Sequence, residues 1–271
     1  MRKRKFLSAG VLTVAACVAA PGIASAAVSN QTITPSVTPS KLVKSGANGT
    51  PMGLTVNTRA DYSSPGTDPA ATQVNVDLPS ELKINLKGQP TCDPAKLAQT
   101  TTSQAIAACP AAVLSTTPGT AQLQGVVGTQ SGTVTPFLAP NNVILLHVRV
   151  DALSITQILT GPVIPSPLGG VYGQRLAVTI PAQQVGGGHE ILTNFTTTID
   201  KKFTVKKKVK GKKTKVKSGI VTGTCKDRVL SFRGEFLFTQ FAAVGIPGGP
   251  GPTYTPENTV ACTPGKAPKK K

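Results

Sequence analysis

Thr72-Gln73-Val74-Asn75-Val76-Asp77-Leu78, a turn at Pro79-Ser80-Glu81, and Leu82-Lys83-Ile84-Asn85-Leu86-Lys87 together decide the fold class. Val74, Val76 and Leu78 alternate with Gln73, Asn75 and Asp77; Leu82, Ile84 and Leu86 alternate with Lys83, Asn85 and Lys87. A period of two predicts two strands, each with one face toward a core and one toward water. A cysteine-bounded segment follows, from Cys92 to Cys109. Asp93 is placed to cap a short helix at Pro94-Ala95-Lys96-Leu97, because Pro suits the first helical position. Residues 103–108 predict a second helical stretch held by Cys109.

The same alternation spreads outward from this corner. Residues 52–57, 172–180 and 191–199 read as strands, and residues 119–127 and 132–139 as a hairpin turning at Gly128-Thr129-Gln130-Ser131. Val143-Ile144-Leu145-Leu146-His147-Val148 is apolar on both faces at first, the pattern of a central strand. Residues 28–40 carry Pro35 and Pro39, which confine them to an edge strand or a tethered linker. Residues 61–70 are a loop, and after Phe241 the chain turns Gly/Pro-rich. Leu230, Phe232, Phe236 and Phe238 form an aromatic stripe on one face of the last clear strand. The 27 Gly and 23 Pro are spread without period over 271 residues, and no long helical pattern follows the N-terminus. The expectation is an all-β protein: a β-sandwich, one large or two abutting, with a short disulfide-bounded helical excursion.

Residues 1–26 stand apart. Arg2-Lys3-Arg4-Lys5, an apolar run and Ala24-Ser25-Ala26 predict a cleaved signal peptide and an exported protein, secreted or held at the cell envelope. Val14-Ala15-Ala16-Cys17 is an alternative, a lipobox that would leave the protein lipid-anchored through Cys17. Cleavage leaves 25 Lys and Arg against 11 acids, so the formal charge falls from +18 to +14. No later stretch is long and apolar enough for a transmembrane segment. Residues 27–262 then form the β domain or domains, with a possible division near residue 140, and residues 263–271 a basic tail. Four cysteines in an exported chain imply two disulfides, and proximity favours Cys92–Cys109 and Cys225–Cys262 among three connectivities. Loop entropy gives each about 3–4 kcal/mol.

Catalytic signatures are missing. His147 lies on a strand and His189 follows three glycines; a triad of His189, Asp151 and a serine lacks a Gly-x-Ser-x-Gly elbow. The acids are scattered, with Arg233 and Glu235 reading as a surface pair, which gives glycosidase chemistry no support. The cysteine spacings lack the short knuckle of a zinc site, and no metal or cofactor is expected. The concentrated feature is residues 201–217, which hold ten lysines. Phe203, Val205 and Val209 before Gly211, and Thr214, Val216 and Ile220 after it, keep strand alternation through the charge run. This predicts a hairpin presenting Lys206, Lys207, Lys208, Lys210, Lys212, Lys213 and Lys215 to anionic polymer. The structural alternative is that lysines solubilise an exposed strand pair. Without interleaved aromatics, specific nucleic-acid binding is not expected.

Leu78-Pro79, Leu82-Lys83-Ile84-Asn85, Pro90-Thr91-Cys92, Ala95-Lys96-Leu97, Ala108-Cys109-Pro110 and Gly119-Thr120-Ala121 occur in order. Together with Gly223-Thr224-Cys225-Lys226-Asp227 and Leu230-Ser231-Phe232, the series resembles uncharacterised exported, cysteine-containing β-rich proteins of high-GC Gram-positive bacteria. The resemblance covers most of the mature chain and implies architecture and export, with no activity to carry over. The functional expectation is a non-enzymatic structural or binding protein of the cell envelope. A hydrolase acting on an envelope polymer is the alternative.

Overall fold

A computed structural model describes residues 30–265, apart from 47–48, 63–68, 126–127, 182, 186–187, 210–211 and 244–245. Residues 1–26, expected to be a signal peptide and including Cys17, together with Lys210, most of the 61–70 loop and residues 266–271 of the tail, lie outside the described residues. The N-terminal part of the chain forms β1 (Asn30–Thr38), β2 (Lys41–Val43), β3 (Thr50–Asp61), β4 (Ala70–Pro79) and β5 (Leu82–Ile84). The single α-helix among the described residues, α1 (Thr102–Ala108), precedes β6 (Gly119–Gly125), β7 (Gly128–Ala139), β8 (Val143–Val150), β9 (Ile155–Pro165) and β10 (Tyr172–Thr179). Then come β11 (Gln183–Val185), β12 (Gly188–Ile199), β13 (Lys202–Val209), β14 (Lys212–Gly219) and β15 (Val221–Gly223). β16 (Val229–Ala243), β17 (Ile246–Tyr254), β18 (Glu257–Ala261) and β19 (Thr263–Gly265) close the chain.

Most strands join one antiparallel sheet in the order β17-β16-β4-β10-β9-β8-β7-β6-β12-β3-β15-β5, with β1 on β3, β11 on β12 and β18 on β16. The sheet folds back on itself, so that Val56 of β3 and Phe195 of β12 meet Val74 of β4 and Leu176 of β10 across one core. β1 lies beside β18, where Asn258 Nδ2 donates to the Ile33 carbonyl at 2.8 Å. The result is an all-β sandwich. Leu230, Phe232, Phe236 and Phe238 all fill its core, so the aromatic stripe is where the periodicity placed it. Gly234 sits within that stripe because a Cβ there would come within 2.9 Å of the Phe236 ring.

β8 is buried on both faces, as its sequence predicts. Ile144, Leu146 and Val148 face the main core. Leu145 and Phe137 of β7 face a second, smaller core with Cys92, Leu97, Ala105 and Cys109. The helical excursion therefore covers β7 and β8, not the Thr72–Lys87 strands beside it in sequence. Its local signals act as expected: Asp93 Oδ1 accepts from the Ala95 N–H at 3.0 Å, and Thr101 and Gln104 form a capping box ahead of α1. Both disulfides join the nearer cysteines, Cys92–Cys109 and Cys225–Cys262.

Other expectations need correction. β4 and β5 do not pair; β4 lies between β10 and β16, and β5 pairs with β15. The β6–β7 ladder places Gly125 opposite Gly128, so Gly128 to Ser131 belong to the strand rather than the turn. β7 and β8 pair directly across residue 140. The Gly/Pro-rich stretch after Phe241 contains β17, β18 and β19, and β19 adds in parallel to β2.

The largest departure concerns Asn75 and Asp77, assigned to water by alternation yet 3% and 0% exposed. Register places Arg175 of β10 and Arg233 of β16 on either side of Asp77. Arg175 grips it with two hydrogen bonds, Nε to Oδ1 at 2.8 Å and Nη2 to Oδ2 at 2.7 Å. Ser166 Oγ donates to Oδ1 at 2.7 Å, and Arg233 Nη1 reaches Oδ2 at 3.3 Å. One row on, Asn75 Nδ2 and Arg175 Nη1 both donate to Glu235 Oε2. Arg233 and Glu235 are thus members of a covered network rather than a surface pair.

Burial opposes ionisation of Asp77, but hydrogen bonds from Arg175 and Ser166, the Arg175 charge and Arg233 outweigh it and hold the carboxyl below its ordinary value. A depressed folded pKa contributes stability above the unfolded value of about 3.9, lost as pH falls below it. Chemical denaturation of the full chain will therefore show stability dropping as pH is lowered from about 4. In Asp77→Asn that decline will be shallower and stability at neutral pH lower; an unchanged acid profile would show that Asp77 is not coupled to folding.

Candidate functional site

The lysine run forms the predicted hairpin. β12 reaches Ile199 opposite Leu54 of β3, and β15 starts with Val221 opposite Met52 of the same strand. β13 and β14, paired as a separate two-stranded sheet, are thus inserted between two consecutive partners of β3. The neck is firmly held. Ile220 N–H donates to the Lys201 carbonyl at 3.0 Å, and the N–H groups of Asp200 and Lys201 share the Leu114 carbonyl. Asp200 Oδ1 accepts from the Thr116 N–H at 2.7 Å. Lys201 Nζ donates to the Ala111 carbonyl, and burial pushes its pKa down. Lys201 therefore belongs to the scaffold. Phe203 packs against the main core from the base of β13.

Along the hairpin, the register sets Lys206 opposite Lys215, Lys208 opposite Lys213, Lys207 opposite Thr214 and Val209 opposite Lys212. For Lys206, Lys207, Lys208, Lys212 and Lys213 the structure places the backbone. Lys215 and Lys217 are exposed. Like charges directly across a ladder destabilise it. This hairpin carries two such pairs, so it is a poor choice of sequence unless something neutralises the charge.

The structure adds a feature that no local pattern announced. A groove of about 520 Å³ lies between Val216, Lys217 and Ser218 of β14 and Lys83, Asn85 and Gln174 of the main body. Gln174 lies on its lining, held to β5 by accepting from the Ile84 N–H at 2.7 Å and donating to the Ile84 carbonyl at 3.2 Å. A second hollow of about 480 Å³ shares Gly49, Ser80, Lys83 and Thr222 with it and adds Lys44, Glu81 and Lys226. The two form one trough, with Lys44, Lys83, Lys217 and Lys226 along it and Glu81 as the acid on its lining. Each hollow has a volume typical of ligand sites. Ammonium groups interspersed with the hydroxyls of Ser80, Ser218 and Thr222 suit phosphate or carboxylate oxygens. Lys44, Lys83 and the Lys217/Lys226 stretch come from three distant parts of the chain, so only the folded chain shows them as neighbours.

The residues considered for catalysis are elsewhere. His147 is fully buried beneath the helical excursion, its Nε2 3.1 Å from both Oγ1 and the carbonyl oxygen of Thr100. It opens onto no cleft. Asp151 is bonded to Arg149 at 2.8 Å with its side chain 76% exposed. The side chain of His189 lies outside the described residues. Among the described residues, no three His, Cys, Asp or Glu side chains gather as a metal-binding group, and no helix is long and apolar enough to cross a membrane.

Comparison with family models, with curated proteins and with solved structures finds no match to this chain. Its geometry therefore carries the functional argument alone.

Burial lowers the pKa of His147, the Thr100 carbonyl partly opposes that shift, and the Arg149 charge adds to it. A histidine kept neutral by the fold contributes stability above its unfolded value of about 6.5, lost as pH falls below it. Wild-type stability will accordingly decline as pH is lowered below about 6.5. His147→Gln, which retains an amide to meet Thr100, will flatten that part of the profile. A decline of unchanged steepness in the variant would assign it to other groups.

Proposed function

We propose that the protein is an exported, non-enzymatic component of the cell envelope that holds anionic polymer on its lysine hairpin and adjoining trough. The register of the hairpin carries this reading: lysines stand opposite lysines at 206/215 and 208/213 in a hairpin inserted between two partners of β3. Repulsion across those pairs is relieved when a phosphate- or carboxylate-bearing chain lies along them. The trough continues the same chemistry into the body through Lys83, Lys44 and Lys226. Two disulfides fit a protein that works outside the reducing cytosol, in keeping with the signal sequence and with the group of exported proteins it resembles. No observation favours the hydrolase reading, since the described histidine is enclosed and serves the packing of the excursion.

Binding of this kind is multivalent and fades gradually with salt. On a column of immobilised polyphosphate, the mature protein will be retained at low ionic strength. Replacing Lys206, Lys207, Lys208, Lys212 and Lys213 with Gln will shift elution to markedly lower salt, and adding Lys83→Gln and Lys217→Gln will shift it further. Elution of the fivefold variant with the wild type would remove the hairpin from the account.

A further inference from the structure

The exposed apolar residues of this protein are not scattered. Among the described residues the large hydrophobics that stand exposed are Ile164, Leu168, Val171 and Val229, at 41%, 49%, 61% and 45%. All four lie toward one end of the sandwich. Ile164 is opposite Arg175, which shares the cross-strand row of Asp77 and Arg233. Leu168 and Val171 occupy the β9–β10 loop beyond that row, and Val229 begins β16 four residues before Arg233.

The trough opens at this same end. Ser80, on both of its hollows, donates its N–H to the Val171 carbonyl at 2.8 Å, and Gly173 and Gln174, just after the loop, line its wall. The exposed cations on its lining are Lys44, Lys83, Lys217 and Lys226, against Glu81. Apolar points flanked by an excess of lysine match the boundary of an anionic bilayer, where acyl chains lie under negative headgroups.

The β9–β10 loop is built to hold that shape. Ser166 Oγ donates to buried Asp77 and accepts from the Leu168 N–H at 3.3 Å. Gly169 N–H reaches the Ser166 carbonyl, and Tyr172 N–H the Gly169 carbonyl at 3.0 Å. Gly169 and Gly170 adopt φ of +60° and +61°, the left-handed turn that lets the chain reverse between the two apolar residues. A preformed loop loses little conformational freedom on docking.

We propose that this end of the molecule docks on the surface of an anionic lipid bilayer, with Leu168 and Val171 entering the headgroup–acyl boundary and the trough lysines meeting the headgroups. The inference shares the trough lysines with the polymer reading and adds a lipid contact that reading does not need. The chain has no Trp, so Leu168→Trp installs a lone fluorophore at the contact. Mixed with vesicles of phosphatidylglycerol and phosphatidylcholine, the mature Leu168→Trp protein will show a blue-shifted emission quenched by brominated acyl chains; pure phosphatidylcholine vesicles will give neither. In sedimentation, Leu168→Ser with Val171→Ser will lower partitioning onto the anionic vesicles by about tenfold or more, at unchanged melting temperature and unchanged retention on polyphosphate. An emission that stays at its water value, or equal partitioning of the double variant and wild type, overturns the lipid contact. Retention on polyphosphate without vesicle binding would overturn this inference and leave the polymer reading intact. Vesicle binding without polyphosphate retention would do the reverse.

Discussion

A single carboxylate, that of Asp77, ties three strands and a loop together. It is fully buried, and a buried charge is tolerable only when its lone pairs are met. Arg175 from β10, Arg233 from β16 and Ser166 from the β9–β10 loop meet them. The charged groups lie in one cross-strand row, so a register slip of one residue in β4 would turn Asp77 into the apolar core and Val76 or Leu78 out of it. The row therefore specifies alignment as well as contributing contacts. Through Ser166 it also sets the shape of the loop that carries Leu168 and Val171, and so connects the scaffold to the surface proposed to meet the bilayer.

Much of the architecture was legible in the sequence because period-two alternation, proline and cysteine spacing act locally. The strand character of 72–78, 143–150 and 229–238, the capped excursion between Cys92 and Cys109, and the lysine hairpin all rest on such signals. Pairing partners are a different matter. Leu82 follows Leu78 after a turn, the usual setting of a hairpin, yet β4 takes β10 and β16 while β5 takes β15. Alternation also says which residues share a face without saying what covers it. Asp77 is polar because Arg175 and Arg233 lie over it, and Asn75 because Glu235 and Gln73 meet it, not because water does. The β17–β19 strands were hidden by Gly and Pro, which edge positions tolerate.

For the site, the hairpin was visible as a charge run and the trough was not. Lys44, Lys83 and the pair Lys217 and Lys226 lie far apart in sequence, and each alone is an ordinary solvated lysine. What joins them is the insertion of β13–β14 between β12 and β15, which brings Lys217 alongside β5. His147, the natural first suspect for chemistry, proved to be a packing residue. Its strand is covered on both faces, and its Nε2 meets Thr100 in the excursion held by Cys92 and Cys109.

The dependence of the fold on the Asp77–Arg175 pair is tested most directly by a double-mutant cycle. Unfolding free energies of wild type, Asp77→Asn, Arg175→Gln and the double variant would be measured by chemical denaturation at neutral pH. Each single change takes from a buried charge its two-bond partner, leaving Asp77 with Arg233 and Ser166 or Arg175 with Glu235, whereas the double change removes both charges together. A coupling energy of about 2 kcal/mol or more is expected, with the double variant more stable than the sum of the single losses implies. Additivity to within about 0.5 kcal/mol would contradict it.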